Sequence, residues 1–147
     1  MQRLVNAVVA LIIANGTLSA FAGVAPGGAL GPFYGLAPEG TQPPYIVIAQ
    51  IPGLDNLQGW STAYVGRVQL QFACVAATAA TAAANAETFC TVFDVLSSIT
   101  LTNGEICRKP IRLEEPRIGP SGMYGTAVRV FQVIAQYQFN VQRAKGT

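Results

Sequence analysis

The chain has 147 residues, of which 51% are hydrophobic and only 11% are charged, and its formal net charge is +2. This length is typical of one domain that buries its own core, whereas soluble domains carry about 25% charged residues, so partners are expected to cover part of this neutral surface. The weak net charge argues against the strongly basic surface of a nucleic-acid-binding domain.

Residues 1–22 fit two different patterns. Arg3, the apolar run over residues 4–14 and an Ala-x-Ala triplet at residues 20–22 resemble a secretory signal peptide. The same run has the spacing of an amphipathic helix, which Asn15 and Gly16 would end. Asn6 interrupts the apolar run, so we favour the helix, and the run is shorter than the roughly 20 apolar residues of a membrane span. The apolar stripe of this helix consists of Leu4, Val5, Val8, Val9, Leu11 and Ile12.

A long segment rich in glycine and proline, residues 16–44, follows. Glycine permits unusual backbone angles and proline removes a hydrogen-bond donor, so we expect at most one helical turn, over residues 17–21. Irregular segments of this length are usually functional or disordered. Its apolar side chains predict that the segment packs at least in part. They are Leu30, Phe33, Tyr34 and Leu36.

Two predicted strands and a loop come next. Residues 45–51 are mostly β-branched and follow a Pro-Pro pair, which predicts a buried strand. Residues 52–61 form a turn-rich loop with the single tryptophan, Trp60. Residues 62–75 alternate between apolar and polar side chains, which predicts a half-buried strand. One face of it carries Val68, Leu70, Phe72 and Cys74, and the other carries Arg67, Gln69, Gln71 and Ala73.

Residues 78–97 predict a helix about 30 Å long. Alanine is the best helix former, neither glycine nor proline interrupts the segment, and Thr78 is a typical N-cap. The first half presents alanine methyl groups, which allow close approach to a sheet, and the second half presents Phe89 and Phe93. Cys74 and Cys90, which flank the alanine-rich stretch, are interpreted as buried packing residues.

The last third of the chain predicts further strands. Residues 99–102 are extended, Asn103-Gly104 is a tight turn, and residues 105–118 form an irregular edge strand because Pro110 and Pro116 cannot donate to a sheet. After a turn, residues 126–143 alternate as one long strand. We therefore expect a single α+β domain: a mostly antiparallel sheet of about four strands, two helices packed on one face, and a long Gly/Pro-rich loop.

The sequence offers little for catalysis or cofactor binding. Histidine is absent, which removes the commonest general base and metal ligand. The cysteines form no Cys-x-x-Cys pair, and the Gly-x-Gly fragments lack the lysine of a phosphate-binding loop. Glu114 and Glu115 are adjacent, so in a strand they point to opposite faces. We predict no catalytic, cofactor-binding or metal-binding residues and no enzymatic activity.

Residues 105–118 are instead a candidate subunit interface. Basic and acidic side chains interleave there, and such an edge can pair with a copy of itself. The alternative interpretation is that these residues are ordinary scattered surface charges with no role in assembly. The candidate interface residues are Glu105, Arg108, Lys109, Arg112, Glu114, Glu115 and Arg117. The glutamine-rich faces of the two long strands suit a hydrated interface or a channel wall. The alternative is an ordinary face exposed to solvent.

The order of features along nearly the whole chain resembles the tail terminator, or tail completion, family of long-tailed bacteriophages. After the N-terminal helix, the resemblance is carried by FYGLAPEGTQPPYIVI, with an aromatic-Gly-Pro stretch before a Pro-Tyr-aliphatic strand, and by the strand and Ala-rich helix GRVQLQFACVAATAATAAANAETFCTVFDVL. LTNGEICRKPIRLEEPRI and the closing strand TAVRVFQVIAQYQFNVQR complete it. These motifs are weak singly and specific in combination, and none is catalytic.

The resemblance implies an α+β subunit that closes into a ring, usually a hexamer, on the last layer of the tail tube. Such a ring ends tube growth and joins the tail to the neck and head, with the tail tube protein and a neck or connector protein as partners. DNA passes its lumen without sequence-specific binding, and no membrane is involved.

The location that the resemblance implies is the tail–neck junction of a virion assembled in the host cytoplasm. Contacts to tube or neck proteins are expected at Phe33, Tyr34 and Trp60. Two alternatives stay open: another neck protein, such as a stopper or head-completion protein, and an exported small binding domain whose signal is cleaved.

Overall fold

The structure is a computed structural model that describes residues 2–51, 65–101, 105–119, 122–123 and 129–142. Within these ranges the chain forms three helices and a sheet of nine strands. The helices are α1 (Gln2–Ala14), α2 (Gly16–Ser19) and α3 (Ala79–Asp94). The strands are β1 (Phe33–Tyr34), β2 (Tyr45–Gln50), β3 (Val65–Ala76), β4 (Ser98–Thr100), β5 (Ile106–Arg108), β6 (Ile111–Arg112), β7 (Arg117–Ile118), β8 (Gly122–Met123) and β9 (Arg129–Gln142).

Two long antiparallel strands form the centre of the sheet. β3 pairs with β9 over its whole length, from Val65 opposite Gln142 to Ala76 opposite Phe131. β2 pairs antiparallel with the other side of β3, and β1 pairs parallel with β2. The order across the sheet is β1-β2-β3-β9-β5-β4, and β6, β7 and β8 also pair with β9. The sheet is therefore mixed, with β1 and β4 at opposite edges.

One face of the sheet, here called the helix face, packs against α1 and α3 to form the main core. Alternate residues of β3 and β9 point to this face, as their apolar periodicity predicts. The rings of Phe89 and Phe93 stack with 4.3 Å between centroids, and Phe72 lies 4.6 Å from Phe89. Burial of each such ring contributes roughly 1.5–3 kcal/mol. The largest fully buried side chains here are Phe72, Phe89, Phe93, Tyr137 and Phe139.

The helix predicted over residues 78–97 is confirmed as α3. It begins after Thr78, whose side-chain oxygen accepts from the backbone N–H of Thr81 at 3.2 Å. Ala82 and Ala86 are completely buried, so the first half of α3 lies close to the sheet, and its second half fills the deeper core with aromatic rings.

The amphipathic helix predicted at the N-terminus is confirmed as α1. Leu4, Val8 and Ile12, spaced by four residues, are buried in the main core. Asn15 lies between α1 and α2, and its side-chain oxygen accepts from the backbone N–H groups of Thr17 at 3.0 Å and Leu18 at 3.1 Å. Asn15 is thus the N-cap of α2, the single helical turn expected in this part of the chain.

The opposite face of the sheet, here called the second face, is covered next to β1 by the Gly/Pro-rich segment. Phe33, Tyr45 and Ile134 belong to a smaller core cluster on this side. A Cβ atom at Gly31 would overlap the carbonyl oxygen of Ala22, so this position requires glycine. The segment therefore packs closely on itself at this point, and the carbonyl of Ala22 accepts from the backbone N–H of Ile46 in β2 at 3.1 Å.

The predicted sheet of about four mostly antiparallel strands with two helices is wrong, although the α+β class stands. In the described residues the sheet has nine strands, is mixed, and accompanies three helices. The strands that the sequence did not predict have only two or three residues each, so they carry no periodic pattern. The parallel pairing of β1 with β2 also has no local signal, because it depends on the path of the intervening chain.

The segment predicted as one irregular edge strand, residues 105–118, is divided into three short strands along β9. Pro110 separates β5 from β6, and Pro116 immediately precedes β7. β4 corresponds to the extended segment predicted at residues 99–102. The predicted Asn103-Gly104 turn and the loop at residues 52–61 lie outside the described residues.

Candidate assembly surfaces

Six of the seven charged residues predicted at a subunit interface are exposed along one side of β9. They belong to residues 106–118, here called the edge band, which comprises β5, β6, β7 and the connections between them. The register with β9 places Arg112 opposite Tyr137 and Arg117 opposite Ile134. The six exposed residues are Arg108, Lys109, Arg112, Glu114, Glu115 and Arg117.

The seventh residue, Glu105, is buried, with only 7% of its surface exposed. Its Oε1 atom lies 2.7 Å from Nη2 of Arg3 in α1, and its backbone carbonyl accepts from the N–H of Leu101 at 2.9 Å. Glu105 therefore joins α1 to the sheet and is not part of the edge band. Local sequence could not predict this position, because a carboxylate is buried only when a distant partner pairs with it.

The edge band holds most of its charges in pairs within the chain. Arg117 Nε lies 3.1 Å from Glu114 Oε1, and Arg112 Nη1 lies 3.6 Å from Glu115 Oε2. The Gln136 amide, in the orientation that satisfies both neighbours, donates to Glu114 at 3.3 Å and accepts from Arg117 at 3.1 Å. Exposed pairs contribute about 0–1 kcal/mol, so their main effect is to restrict the conformation of the band.

Arg112 also connects the edge band to the end of α3. Its Nη2 atom lies 3.4 Å from Asp94 Oδ2, and the Tyr137 hydroxyl donates to Asp94 Oδ1 at 2.8 Å. The charge of Asp94 raises the pKa of Arg112. Burial, together with hydrogen bonds to Cys90 and Asp94, raises the pKa of Tyr137. Both groups therefore keep their protons at neutral pH. The contact between Arg112 and Asp94 joins β6 to the end of α3, and backbone pairing joins β6 to β9.

Four large apolar side chains on the edge band are exposed, and the sequence interpretation missed them. The most exposed is Ile118, with 81% of its surface accessible. The available signal was the interleaving of aliphatic and charged residues in EICRKPIRLEEPRI, on a segment already predicted to be an edge. Neighbouring exposed aliphatic side chains are typical of an interaction site. The four are Ile106, Ile111, Leu113 and Ile118.

A second exposed apolar surface, here called the loop patch, lies on the Gly/Pro-rich segment next to β1. Its most exposed residue is Leu36, at 81%. Of the predicted tube or neck contacts, Tyr34 belongs to the loop patch, whereas Phe33 is buried with its ring edge-on to Tyr45 at 6.5 Å between centroids. Trp60 lies outside the described residues. The loop patch consists of Val24, Leu30, Tyr34 and Leu36.

The edge band and the loop patch lie near opposite edges of the sheet, at the two ends of the strand order. β1 and β5 are separated by β2, β3 and β9, and four steps between neighbouring strands amount to roughly 19 Å. The two surfaces are therefore too far apart to cover each other within one chain.

Each of these surfaces adjoins a cavity. The first cavity, of about 540 Å³, lies on the second face between residues 35–41 and the strands β2 and β3. Its lining is mostly aliphatic, and among the described residues that line it Glu39 is the one that carries a charge. The second cavity, of about 690 Å³, lies between the end of α3 and the edge band, where Asp94, Arg108, Lys109 and Arg112 contribute to its lining.

Neutral polar side chains occupy the second face beyond the Gly/Pro-rich segment. Gln69 donates to Gln138 across the β3–β9 pair at 3.2 Å, and Gln138 donates to Asn140 at 3.2 Å. Gln71 and Gln136 are paired at the next position on the same face. This part of the sheet is a half-exposed amide surface, and the interface, channel-wall and solvent-face interpretations all stay open for it.

Cys74 and Cys90 are buried, as predicted for packing residues, and Cys107 is buried too. Burial raises the pKa values of Cys74 and Cys107 to about 12, so these thiols stay protonated at neutral pH. The described residues contain no group of three or more side chains placed to hold a metal ion. Within the same part of the chain, no helix has the length and apolar character needed to cross a lipid bilayer.

Comparisons of the chain with protein-family models, with curated proteins and with solved structures found no match.

Proposed function

We propose that the chain is a structural subunit of a tailed-phage virion, which assembles into a ring, usually of six copies, on the end of the tail tube. The ring ends tube growth and joins the tail to the neck and head. The observation that carries the proposal is the placement of two unlike exposed apolar surfaces, the edge band and the loop patch, on opposite sides of one sheet.

A closed ring of identical subunits needs two different surfaces that fit each other, one on each side of the subunit. The edge band of one copy and the loop patch of the next meet this requirement. Burial of their aliphatic side chains favours association, and the ordered charges of the edge band restrict which surface can pair with it. Ile118 and Leu36 are the most exposed aliphatic residues of the two surfaces, so they gain most from the contact.

In this proposal the tail tube protein and a neck or connector protein contact the two ends of the ring. DNA passes through the lumen without sequence-specific binding, and the low charge of the chain, with a net value of +2, supports a lumen that does not retain DNA. Assembly takes place in the host cytoplasm, and the finished ring lies at the tail–neck junction of the virion.

Native mass spectrometry of the purified protein and three single variants tests the contact surfaces. Ile118→Asp and Leu36→Asp place a charge on the edge band and the loop patch, and Val95→Asp is the matched control. Val95 is 76% exposed at the C-terminal end of α3 and belongs to neither surface. We expect rings from the parent chain and the control and monomers from the other two variants. Equal assembly of all four proteins contradicts the proposal.

Labelling of the subunit in intact virions tests its location. We expect the label at the tail–neck junction, and a label at any other position contradicts the proposal. Where the ring closes only on the tube, the same four proteins are compared by their incorporation into tails. A label confined to the neck side of the junction, absent from isolated capped tails, favours another neck protein instead.

The exported binding domain is the alternative from a different class. Cleavage after residue 22 would remove Leu4, Val8, Ile12 and Leu18, all of which belong to the main core. The burial of these side chains supports retention of the segment as a helix. N-terminal sequencing of the expressed protein distinguishes the two, because a chain that begins at residue 23 favours export and contradicts the ring subunit.

A further inference from the structure

We infer that the first cavity receives residues 109–111 from a neighbouring copy of the chain. The side chain of Ile111 enters the cavity, and the ammonium group of Lys109 lies beside Glu39 at its margin. The inference rests on the proposed ring and specifies the contact that closes it.

The first cavity has the size and lining of a site for an aliphatic side chain. Its volume is about 540 Å³, within the range of roughly 300–1,000 Å³ that ligand pockets occupy. Val47 and Ala49 of β2 and Val75 of β3 line it from the sheet, and Leu36 and Ala37 line it from the Gly/Pro-rich segment. Leu36 also belongs to the loop patch, so the cavity and the patch meet at this residue.

Two charged residues that take part in no ion pair within the described residues, Lys109 and Glu39, are complementary. Arg112 and Arg117 of the edge band are already paired with acidic side chains. Lys109 is exposed and takes part in none of the ion pairs found among the described residues, and the same is true of Glu39 at the cavity. A contact between the two copies therefore brings an available cation to an available carboxylate.

Ile111 cannot reach the cavity of its own chain. Ile111 lies opposite Gln138 in the register of β6 with β9, whereas the cavity meets β9 at Gln132. Six residues along a strand span roughly 20 Å, far beyond the reach of an isoleucine side chain. Ile111 of one chain can fill only the cavity of another, which makes the contact head-to-tail and repeatable around a ring.

The local geometry of the edge band suits this contact. Paired residues in a sheet share a face, so Ile111, like Gln138, lies on the second face, and the first cavity is on that face too. Ile111 also lines the second cavity, and it is 49% exposed. Lys109 is two residues away, roughly 7 Å along an extended chain. Ile111 can therefore occupy the cavity while Lys109 reaches a carboxylate at its margin.

Charge reversal tests the pairing. Glu39→Lys and Lys109→Glu are each compared with the double variant by native mass spectrometry, or by incorporation into tails. We expect each single variant to lower the ring fraction roughly tenfold, and the double variant to restore most of it, because the pair is re-formed with its signs exchanged. Losses in the double variant equal to the sum of the single losses overturn the inference.

Cysteine cross-linking locates the contact directly. One preparation carries Ala37→Cys, a second carries Ile111→Cys, and the two are mixed before assembly and treated with a short thiol-specific cross-linker. The natural cysteines are buried and do not compete. A mixture of Ala37→Cys with Val95→Cys is the control, because Val95 is exposed outside both surfaces. We expect cross-linked dimers from the first mixture and none from the control.

The outcomes separate this inference from the function on which it rests. Rings that form in both mixtures without a cross-link between positions 37 and 111 overturn the cavity contact and leave the proposed function standing. A chain that forms no ring, alone or on tails, overturns both. Ala49→Phe places a large side chain in the cavity. If this variant assembles as well as the parent chain and the parent's cavity binds a small ligand, the inference is overturned, because the cavity then serves a different occupant.

Discussion

The same strands form both faces of the sheet, but the two faces differ in how they are covered. The helix face is closed by aromatic rings from α3, β3 and β9 that stack on one another. The second face is covered only in part within the described residues, by a segment rich in glycine and proline. A cavity lies between that segment and the strands, and glutamine side chains occupy the face beyond it. Because neighbouring residues of a strand point to opposite faces, substitutions can probe folding on one face and assembly on the other.

The largest contrast between the faces is expected from removal of a buried ring. Phe93→Ala on the helix face should lower the free energy of unfolding by about 3–5 kcal/mol, because it leaves a cavity among packed aromatic rings. Ile111→Ala on the second face is exposed and should change it by less than about 0.5 kcal/mol. Urea unfolding of both variants measures the difference. Similar losses of unfolding free energy would show that folding does not depend more on the helix face than on the second face.

A smaller effect is expected where the Gly/Pro-rich segment packs against itself. Gly31→Ala should lower the free energy of unfolding by about 1–3 kcal/mol, because the new methyl group overlaps the carbonyl of Ala22. Gly27 has open space around it, so Gly27→Ala is the control and should be neutral or stabilising by up to about 1 kcal/mol. Thermal unfolding compares them, and equal behaviour would mean that the segment is not held by close packing at Gly31.

The buried thiols of the helix face predict a loss of stability in alkaline solution. The pKa of Cys74 rises from 9.0 to about 12 on folding, so below pH 9 both states keep the proton and nothing is lost. As the pH rises from 9 to 10 the unfolded thiol ionises and the folded one does not, which should lower the free energy of unfolding by about 1 kcal/mol for each such thiol.

Cys107 has the same raised pKa, so the parent chain should lose about twice as much over this interval as Cys74→Ala. Denaturant unfolding at pH 8, 9 and 10 measures the two slopes. Identical slopes in the parent chain and the variant would contradict burial of the Cys74 thiol.

The smallest effect is expected from the amide surface of the second face. Gln69→Ala removes the hydrogen bond to Gln138, and because water can replace it at a half-exposed site, the loss should be about 0.5 kcal/mol. Tyr137→Phe removes the bond to Asp94 in the core and should cost about 1–1.5 kcal/mol. Urea unfolding measures both values. A larger loss of unfolding free energy in Gln69→Ala than in Tyr137→Phe would contradict the smaller contribution expected from the second face.

The predictability of each element follows from the range of its interactions. α1, α3, β2, β3 and β9 were visible in the sequence because a period of 3.6 or 2 repeats over many residues. β1 and β5 to β8 have two or three residues each, too few for a period. β1 pairs with β2, and β5 to β8 pair with β9, so their existence depends on the backbone of a strand elsewhere in the chain.

The candidate surfaces show the same limit at the level of single residues. The exposure of Arg108, Lys109 and Arg117 follows from their charge and the two prolines nearby, and the sequence predicted it. Glu105 carries the same kind of charge, yet it is buried because α1 brings Arg3 within 2.7 Å. The exposed aliphatic residues of the edge band were missed because an isoleucine in a predicted strand is expected to face a core.

Spacing along the chain was sufficient for the helix stripes, the apolar side of the long strands and the irregular course of the Gly/Pro-rich segment, since each depends on residues a few positions apart. The folding of distant segments onto one another decided the order of the strands, the burial of Glu105 and the placement of the edge band and the loop patch on opposite sides of one sheet. Those features arise from contacts between segments far apart in sequence, where backbone pairing and buried partners outweigh the preference of any single residue.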